Sequence, residues 1–446
     1  MSTVKLTPDS GGGAVQLKAP ASTSGADVIL KLPNTDGNNN QLLKTDGSGN
    51  LSWADDTDTT NTNASNLTSG TLPDARFPAT LPAVSGANLT GISSPGSFRN
   101  LLDNGAMRVN QRGTVVNAGN EYGGPDRWKF MKNDGAFTVS QDTDVPTGQG
   151  FANSYKIDCT SVASTSGVYY VHLLQYIEGQ DLQRVKKGTS NAEQLTISFW
   201  IKSTKTGTYV AELYDQDNTR HTSKSYTVNT TNTWEKKTIT FAADTTGAFG
   251  NDNQASLRVI LWFYAGSSFQ GGTLAGTWAA NVSANRAEGQ VNAFDNTANN
   301  VFVTGIQLET GATATDYEHR SYGDEVARCQ RYFQVWSGET PGNFAGRWNG
   351  TSNFVYGVPL ITPLRASPSV ECKANDTSGS GNGEWKVFRT DGASTSTNVP
   401  TVRTFKENSP IILMNLDGLS GGTDDRCGTI QGTLSASGFF RLSAEL

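Results

Sequence analysis

Leu195-Thr196-Ile197-Ser198-Phe199-Trp200-Ile201-Lys202 alternates without a break: Leu195, Ile197, Phe199 and Ile201 are apolar, and Thr, Ser, Trp and Lys stand between them. In an extended chain successive side chains point to opposite faces, so the stretch predicts a strand with one face in a core. Ser256 to Tyr264, SLRVILWFY, has the same period, with Leu257, Val259, Leu261 and Phe263 on one side. Arg258, Trp262 and Tyr264 then fall on the other side. Further strands are predicted at Val168–Ile177, Tyr209–Tyr214, Trp234–Phe241 and Val301–Leu308, separated by Gly, Asn and Asp turns. Many short strands with regular turns predict an all-β jelly-roll or sandwich.

Composition agrees. A chain of 446 residues has room for about three domains of ~100–200 residues each. Only 17% of residues are charged, so the polarity comes from Thr, Ser, Asn and the 48 Gly. Disordered chains carry more charge and fewer rings, and nine Trp, nineteen Phe and thirteen Tyr argue for packed β-structure. The net charge is −6 and no basic cluster occurs, which excludes an electrostatic nucleic-acid footprint. MSTVKLTPDSGGG has no apolar signal region, and no run reaches the roughly twenty apolar residues of a membrane helix. Neither standard secretion nor membrane insertion is expected. Cys159, Cys329, Cys372 and Cys427 form no CxxC pair and the histidines are only His172, His221 and His319, so buried free thiols, no metal site and no cofactor are expected.

Four regions follow along the chain. Residues 1–98 hold only Trp53, Phe77 and Phe98 as aromatics, too few for a large core. Thr35-Asp36-Gly37 and Thr45-Asp46-Gly47 predict tight turns between short apolar runs. Residues 99–320 are the jelly-roll, and 321–336 a connecting helix with Val326, Cys329 and Phe333 on one face and Asp324 and Glu325 in its first turn. Residues 337–446 are a second β-sandwich, with strands near Phe354–Ile361, Ser369–Cys372, Trp385–Arg389, Ile411–Asn415 and Phe439–Leu446.

VILKLPNTDGNNNQLLKTDGSGNLSWAD resembles the N-terminal segment of bacteriophage tail fibre and receptor-binding proteins, and Asn66–Pro73, Leu72–Pro78 and Asn88–Ile92 resemble their stalk repeats. LLDNGAMRVNQRG, from Leu101 to Gly113, resembles the opening of their sandwich. Gly305 to Gln334, GIQLETGATATDYEHRSYGDEVARCQRYFQ, resembles their interdomain junction. The order LLQYIEG, LTISFWIKS, TWEKKTITF is similar to carbohydrate-binding modules of the jelly-roll type. The resemblance implies a homotrimeric virion fibre, assembled in the bacterial host cytoplasm. Its N-terminal strip would join a tail, nozzle or baseplate protein, and its outer domains would bind host-surface glycan. The alternatives are a capsid-attached decorating fibre and a polysaccharide depolymerase tailspike; a surface adhesin would need an export signal.

Glycan recognition needs a ring face for sugar C–H groups beside polar groups for hydroxyls. Trp200, Arg258, Trp262 and Tyr264, all opposite their strands' core faces, form the candidate platform. Packing under a loop or a neighbouring subunit is the alternative, since Trp and Tyr are common in interfaces. Trp348, in Arg347-Trp348-Asn349-Gly350, and Trp385, near the Ser378–Gly383 loop, are candidate receptor contacts at the tip. No catalytic residues are assigned. Gly418-Leu419-Ser420-Gly421-Gly422 matches the nucleophile elbow, but no helix or later histidine follows it. Asp126, Glu212, Asp215 and Glu309 are acidic candidates that no spacing selects as a glycosidase pair.

Overall fold

The structure, a computed structural model, describes residues 3–6, 15–18, 31–39, 41–48, 50–55, 98–162, 167–337, 344–373, 385–389, 392–396, 400–407, 409–419, 427–432 and 439–446. The chain is all-β and divides into two compact units, Met1–Leu89 and Thr90–Leu446.

In the first unit, Thr3–Leu6 pairs antiparallel with Val15–Lys18, and Gln41–Thr45 with Leu51–Asp55. Of the two Asp-Gly signals, Asp46-Gly47 forms the predicted hairpin turn, whereas Asp36-Gly37 lies in an irregular segment. Gly47 takes φ +80° at the hairpin turn, where Asp46 accepts from the Ser48 and Asn50 amides at 2.8 and 3.2 Å. Gly37, at φ +72°, lies so close under the Trp53 indole that a Cβ would sit 2.6 Å from the ring. Leu32, Leu42 and Leu43 remain exposed. The stalk-like echoes at 66–92 lie outside the described residues.

The second unit opens with the predicted sandwich. A seven-stranded antiparallel sheet runs Ala279–Ala280, Arg220–Val228, Gly207–Asp215, Ala255–Ala265, Tyr170–Glu178, Lys129–Lys132, Glu121–Tyr122. A six-stranded sheet faces it, in the order Glu235–Phe241, Leu195–Ser203, Asn300–Thr310, Ser154–Ser161, Ala136–Asp142, Val115–Val116. Leu195, Ile197, Phe199 and Ile201 from the six-stranded sheet meet Leu257, Val259, Leu261 and Phe263 from the other in one core. The two alternating segments thus belong to different sheets.

Two of the bulges bear on the candidate site. Across the Tyr170–Glu178 ladder, Val171 pairs with Tyr264 while His172 pairs with Trp262, so one extra residue enters at Phe263. A one-residue slip sends the following side chain to the other face, and Tyr264 joins the inter-sheet core. In Asn300–Thr310 the register shifts beside Gly305, whose φ is +62° and whose missing Cβ leaves room for the Phe151 ring.

The helix is shorter than the expected 321–336: it spans Tyr322–Gln330. Ser321 caps it by accepting from the Asp324 amide at 3.1 Å. Phe333 leaves the predicted helical face because Phe333–Ser337 pairs as a strand with Phe439–Ser443. Cys329 and Glu325 are the buried helix residues, and Val326 is half-buried. Glu325 reaches the Asn104 amide, Arg331 grips Glu178 through Nε and Nη2 at 3.1 and 2.9 Å, and the Tyr332 hydroxyl donates to Glu178 at 2.6 Å.

Beyond the helix, a three-stranded sheet orders Phe333–Ser337, Phe439–Ser443, Ser369–Lys373. A seven-stranded sheet orders Gly392–Ser396, Trp385–Arg389, Cys427–Gly432, Phe344–Asn349, Asn353–Pro359, Ile411–Leu416, Thr401–Thr404. Phe354, Tyr356, Val358, Ile412, Met414, Phe440 and Leu442 share one core. Cys159 and Cys329 are buried as expected, but Cys427 is exposed. No described helix is long and apolar enough to cross a membrane.

Candidate functional site

The four platform residues do not converge. Trp200 is on the outer face of the six-stranded sheet, whereas Arg258 and Trp262 are on the outer face of the seven-stranded sheet, across the core. Tyr264 points inward.

The outer face of the seven-stranded sheet is closed. The segment 266–290 crosses it, placing Phe269 5.4 Å from the Trp262 ring and Ala287 and Leu274 in the same cluster. Trp262 is 0% exposed, and its Nε1 donates to Glu212 Oε2 at 2.9 Å. Arg286, from the covering segment, donates to the two Glu212 oxygens at 2.8 and 3.0 Å, and His221 Nδ1 lies 3.2 Å from the same carboxylate. Burial alone would raise the Glu212 carboxyl, but Arg286 and the His221 hydrogen bond hold it down at about 2. Arg258 lies between the Tyr176 and Tyr214 rings, 5.3 and 5.1 Å from their centroids. Trp262 offers no face to a ligand: the covering loop takes that role.

Trp200 differs. It is half-buried, with Lys236 in register on one side and Thr304 on the other. Next to it Lys202 pairs with Phe302 in the ladder, and its ammonium lies 4.7 Å from the Phe302 centroid and 5.9 Å from that of Trp234. Trp234 is half-buried and fixed by its Nε1, which donates to Asp144 Oδ1 at 2.9 Å; Lys202 also pairs with Asp144. Burial would raise the Asp144 carboxyl, yet the hydrogen bonds from Lys202 and Trp234 keep it below the usual range. Lys156 completes the group, 5.6 Å from the Phe302 ring. The result is a face of two indoles bordered by ammonium groups, while the Thr304 hydroxyl is buried and donates to the Asn153 carbonyl at 2.7 Å. Lys202 lies against the Trp234 and Phe302 rings and Lys156 against Phe302, and one carboxylate orients Trp234 and Lys202 together. Lys202 and Trp234 carry no marker in sequence: Trp234 precedes its strand, and only strand order brings it near Trp200.

Of the two tip candidates, Trp348 is placed differently from expectation. Trp348 is in the strand Phe344–Asn349, not a loop, and is 0% exposed, edge-on to Phe354 at 5.8 Å. Its strand alternates, and position 348 falls on the core side. Trp385 begins the strand Trp385–Arg389. The Ser378–Gly383 loop and Ser420–Gly422 lie outside the described residues.

The acidic candidates are all buried and engaged. Asp126 accepts from Gln111 and pairs with Arg112, Asp215 pairs with Lys187 at 2.6 Å, and Glu309 accepts from Thr315. None lies opposite another across a cleft. Among the described residues no three His, Cys, Asp or Glu side chains gather to hold a metal ion.

The fold and the Trp200 face define a β-sandwich chain with an aromatic surface on one sheet. No family model and no curated protein matches it. Among solved structures, the chain is similar to the enzymatically active domain of tailspike protein 4 of bacteriophage CBA120 at 12% identity and a TM-score of 0.28. That match covers 48% of this chain and 21% of the tailspike chain. It is also similar to the carbohydrate-binding module TmCBM61 in complex with β-1,4-galactotriose, at 11% identity, TM-score 0.24, covering 48% of this chain and 99% of that one. A family 11 carbohydrate-binding module from a Clostridium thermocellum cellulase matches at 14% identity and TM-score 0.22, covering 46% and 98%.

Proposed function

We propose that the chain is a homotrimeric virion fibre protein that binds host cell-surface glycan through the outer face of its six-stranded sheet. The observation that carries this reading is that Trp200 and Trp234 are both half-buried on one rigid strand surface beside Lys202 and Lys236. Indoles accept the C–H face of a sugar, and ammonium groups reach its oxygens. Trp200→Ala is expected to weaken binding to immobilised bacterial surface polysaccharide by about tenfold or more. Trp234→Ala should act likewise, and neither should lower the melting temperature as a core substitution does. Unchanged affinity in both variants would overturn the assignment. Release of reducing ends from the polysaccharide by the purified protein would instead establish the depolymerase alternative.

Self-association is supported by the first unit. A two-stranded hairpin is marginal by itself in water, and this one leaves Leu42 56% and Leu43 43% exposed. Copies of the same hairpin would cover those leucines mutually, and three linked sugar sites would raise the effective affinity without new contacts. The N-terminal region is then the attachment to a tail, nozzle or baseplate protein. Mass measurement in solution should give three chains; a stable monomer would remove the stalk from the proposal.

A further inference from the structure

A polar cleft of about 380 Å³ lies where the sandwich meets the helix, and a neighbouring lobe of about 260 Å³ shares its wall. The two lobes have Asp103, Gln180, Asp181, Arg328 and Tyr332 in common. None of these residues contributes to the Trp200 face. Phe98, 58% exposed, borders the larger lobe, with the Arg328 guanidinium 5.4 Å from its centroid. Arg331 and Glu407 border the smaller one.

The floor is rigid. Arg127 is buried, with its guanidinium 3.2 Å from the Tyr332 centroid, and donates to Asp103, Glu445 and the Tyr176 carbonyl at 3.4, 2.6 and 3.0 Å. Glu178, directly behind, takes Arg331, Tyr332 and Gln180 together. The rim retains unused capacity. Among the described residues Asp181 has no hydrogen-bond or ion-pair partner, and Arg328 has only one bond, to Asp103 at 3.4 Å. Although Asp181 is exposed at the rim, partial desolvation in the cleft, with Glu178 and Asp103 nearby, holds its carboxyl above its usual range.

Charge in the cleft is close to balanced. Arg127, Arg184, Arg328 and Arg331 line it with Asp103, Asp181 and Glu407, and Glu178, behind the wall, takes up the charge of Arg331. A ligand that is itself charged meets repulsion from one set wherever it binds. A polyol does not: its adjacent hydroxyls donate to a carboxylate and accept from a guanidinium. The volume lies at the small end of ligand cavities, roughly 300–1,000 Å³, enough for one ring and part of a second.

We propose that this cleft is a second carbohydrate site, separate from the Trp200 face, which takes a single neutral sugar residue at the end of a glycan chain. The inference rests on the glycan-binding reading for its ligand class, but on different residues. Asp181 and Arg328 receive the hydroxyls and Phe98 borders the ring.

The test uses the full chain and ligand-detected NMR with the methyl glycosides of glucose, galactose and mannose, and with glucuronic acid. At least one neutral glycoside should bind, about tenfold or more tighter than the uronic acid. Its affinity should be unchanged by added salt, because screening acts on charged partners. Asp181→Ala and Arg328→Ala, both at the rim, should each lose about tenfold or more, with melting temperature retained. No signal from any neutral glycoside, a salt-sensitive preference for the acid, or full binding in both variants would overturn the proposal. Trp200→Ala separates the two readings. If it abolishes polysaccharide binding while the glycosides still bind, both sites stand. If the rim variants change nothing but Trp200→Ala still acts, only the cleft fails.

Discussion

Glu212→Ala is expected to destabilise the sandwich by about 3–5 kcal/mol, the typical cost of removing one partner from a buried ion pair. Glu212 is fully buried and is the acceptor for Arg286 and Trp262 Nε1, with His221 Nδ1 3.2 Å from its carboxylate. Its removal leaves the Arg286 guanidinium without its counter-charge and the indole N–H without an acceptor. Arg286 is the covering segment's charged contact with the sheet, so the variant should also loosen 266–290. Urea unfolding measures the first effect, and faster proteolysis within 266–290 the second. Replacing Glu212 and Arg286 together by apolar residues should recover part of the loss, since no unpaired charge remains. A loss below about 1 kcal/mol for Glu212→Ala would show that the cluster does not hold the segment down.

Acid should weaken the same region, beginning near neutral pH. His172 is packed against Trp262 at 4.8 Å and Tyr170 at 5.0 Å, and its Nδ1 is buried without a partner among the described residues. Burial lowers its folded pKa from 6.5 to about 3, with the Arg286 charge acting in the same direction and Glu212 against it. Between these values the unfolded chain binds a proton that the folded chain refuses. Stability therefore falls as pH falls, by about 1.4 kcal/mol per unit for one proton. Glu212 adds to the loss lower down: its folded carboxyl titrates near 2 against 4.5 unfolded, so its contribution is full above 4.5 and is lost toward 2. Urea midpoints of the parent measured from pH 7 to 4 should decline steadily, and His172→Leu should flatten the slope. Parallel slopes would mean that His172 accepts its proton in place.

Much of the fold was legible because alternation is local. Leu195–Lys202 and Ser256–Tyr264 lie in strands Leu195–Ser203 and Ala255–Ala265, and both core faces are as read. Partnership is not local. That Trp200 and Trp262 sit on opposite outer faces follows from strand order, which no window of residues contains. The bulge that turns Tyr264 inward is one extra residue in a ladder, visible only against its partner strand. The segment 266–290 covers a sheet although it is rich in Gly, Ala and Ser; its contact with Glu212 depends on the single side chain of Arg286. Trp348 was misplaced because Arg347-Trp348-Asn349-Gly350 has turn-like composition, while the turn itself begins only at Gly350. The cleft had no sequence signature, since its walls come from residues near 98–103, 176–184 and 328–332.

The junction after the sandwich reads in sequence as a connecting helix between two β-domains. Glu325 on Asn104, Arg331 and Tyr332 on Glu178, Arg127 on Glu445, and Arg365 on the Asn253 carbonyl make it a weld. These ties join the helix, the last strand and the loop before Ser369–Lys373 to the sandwich at separate points. A pull on the C-terminal sheets would load them in parallel, and no single bond would carry the whole force. A junction built this way passes tension to the sandwich without bending, so the parts on either side of it keep a fixed distance under load.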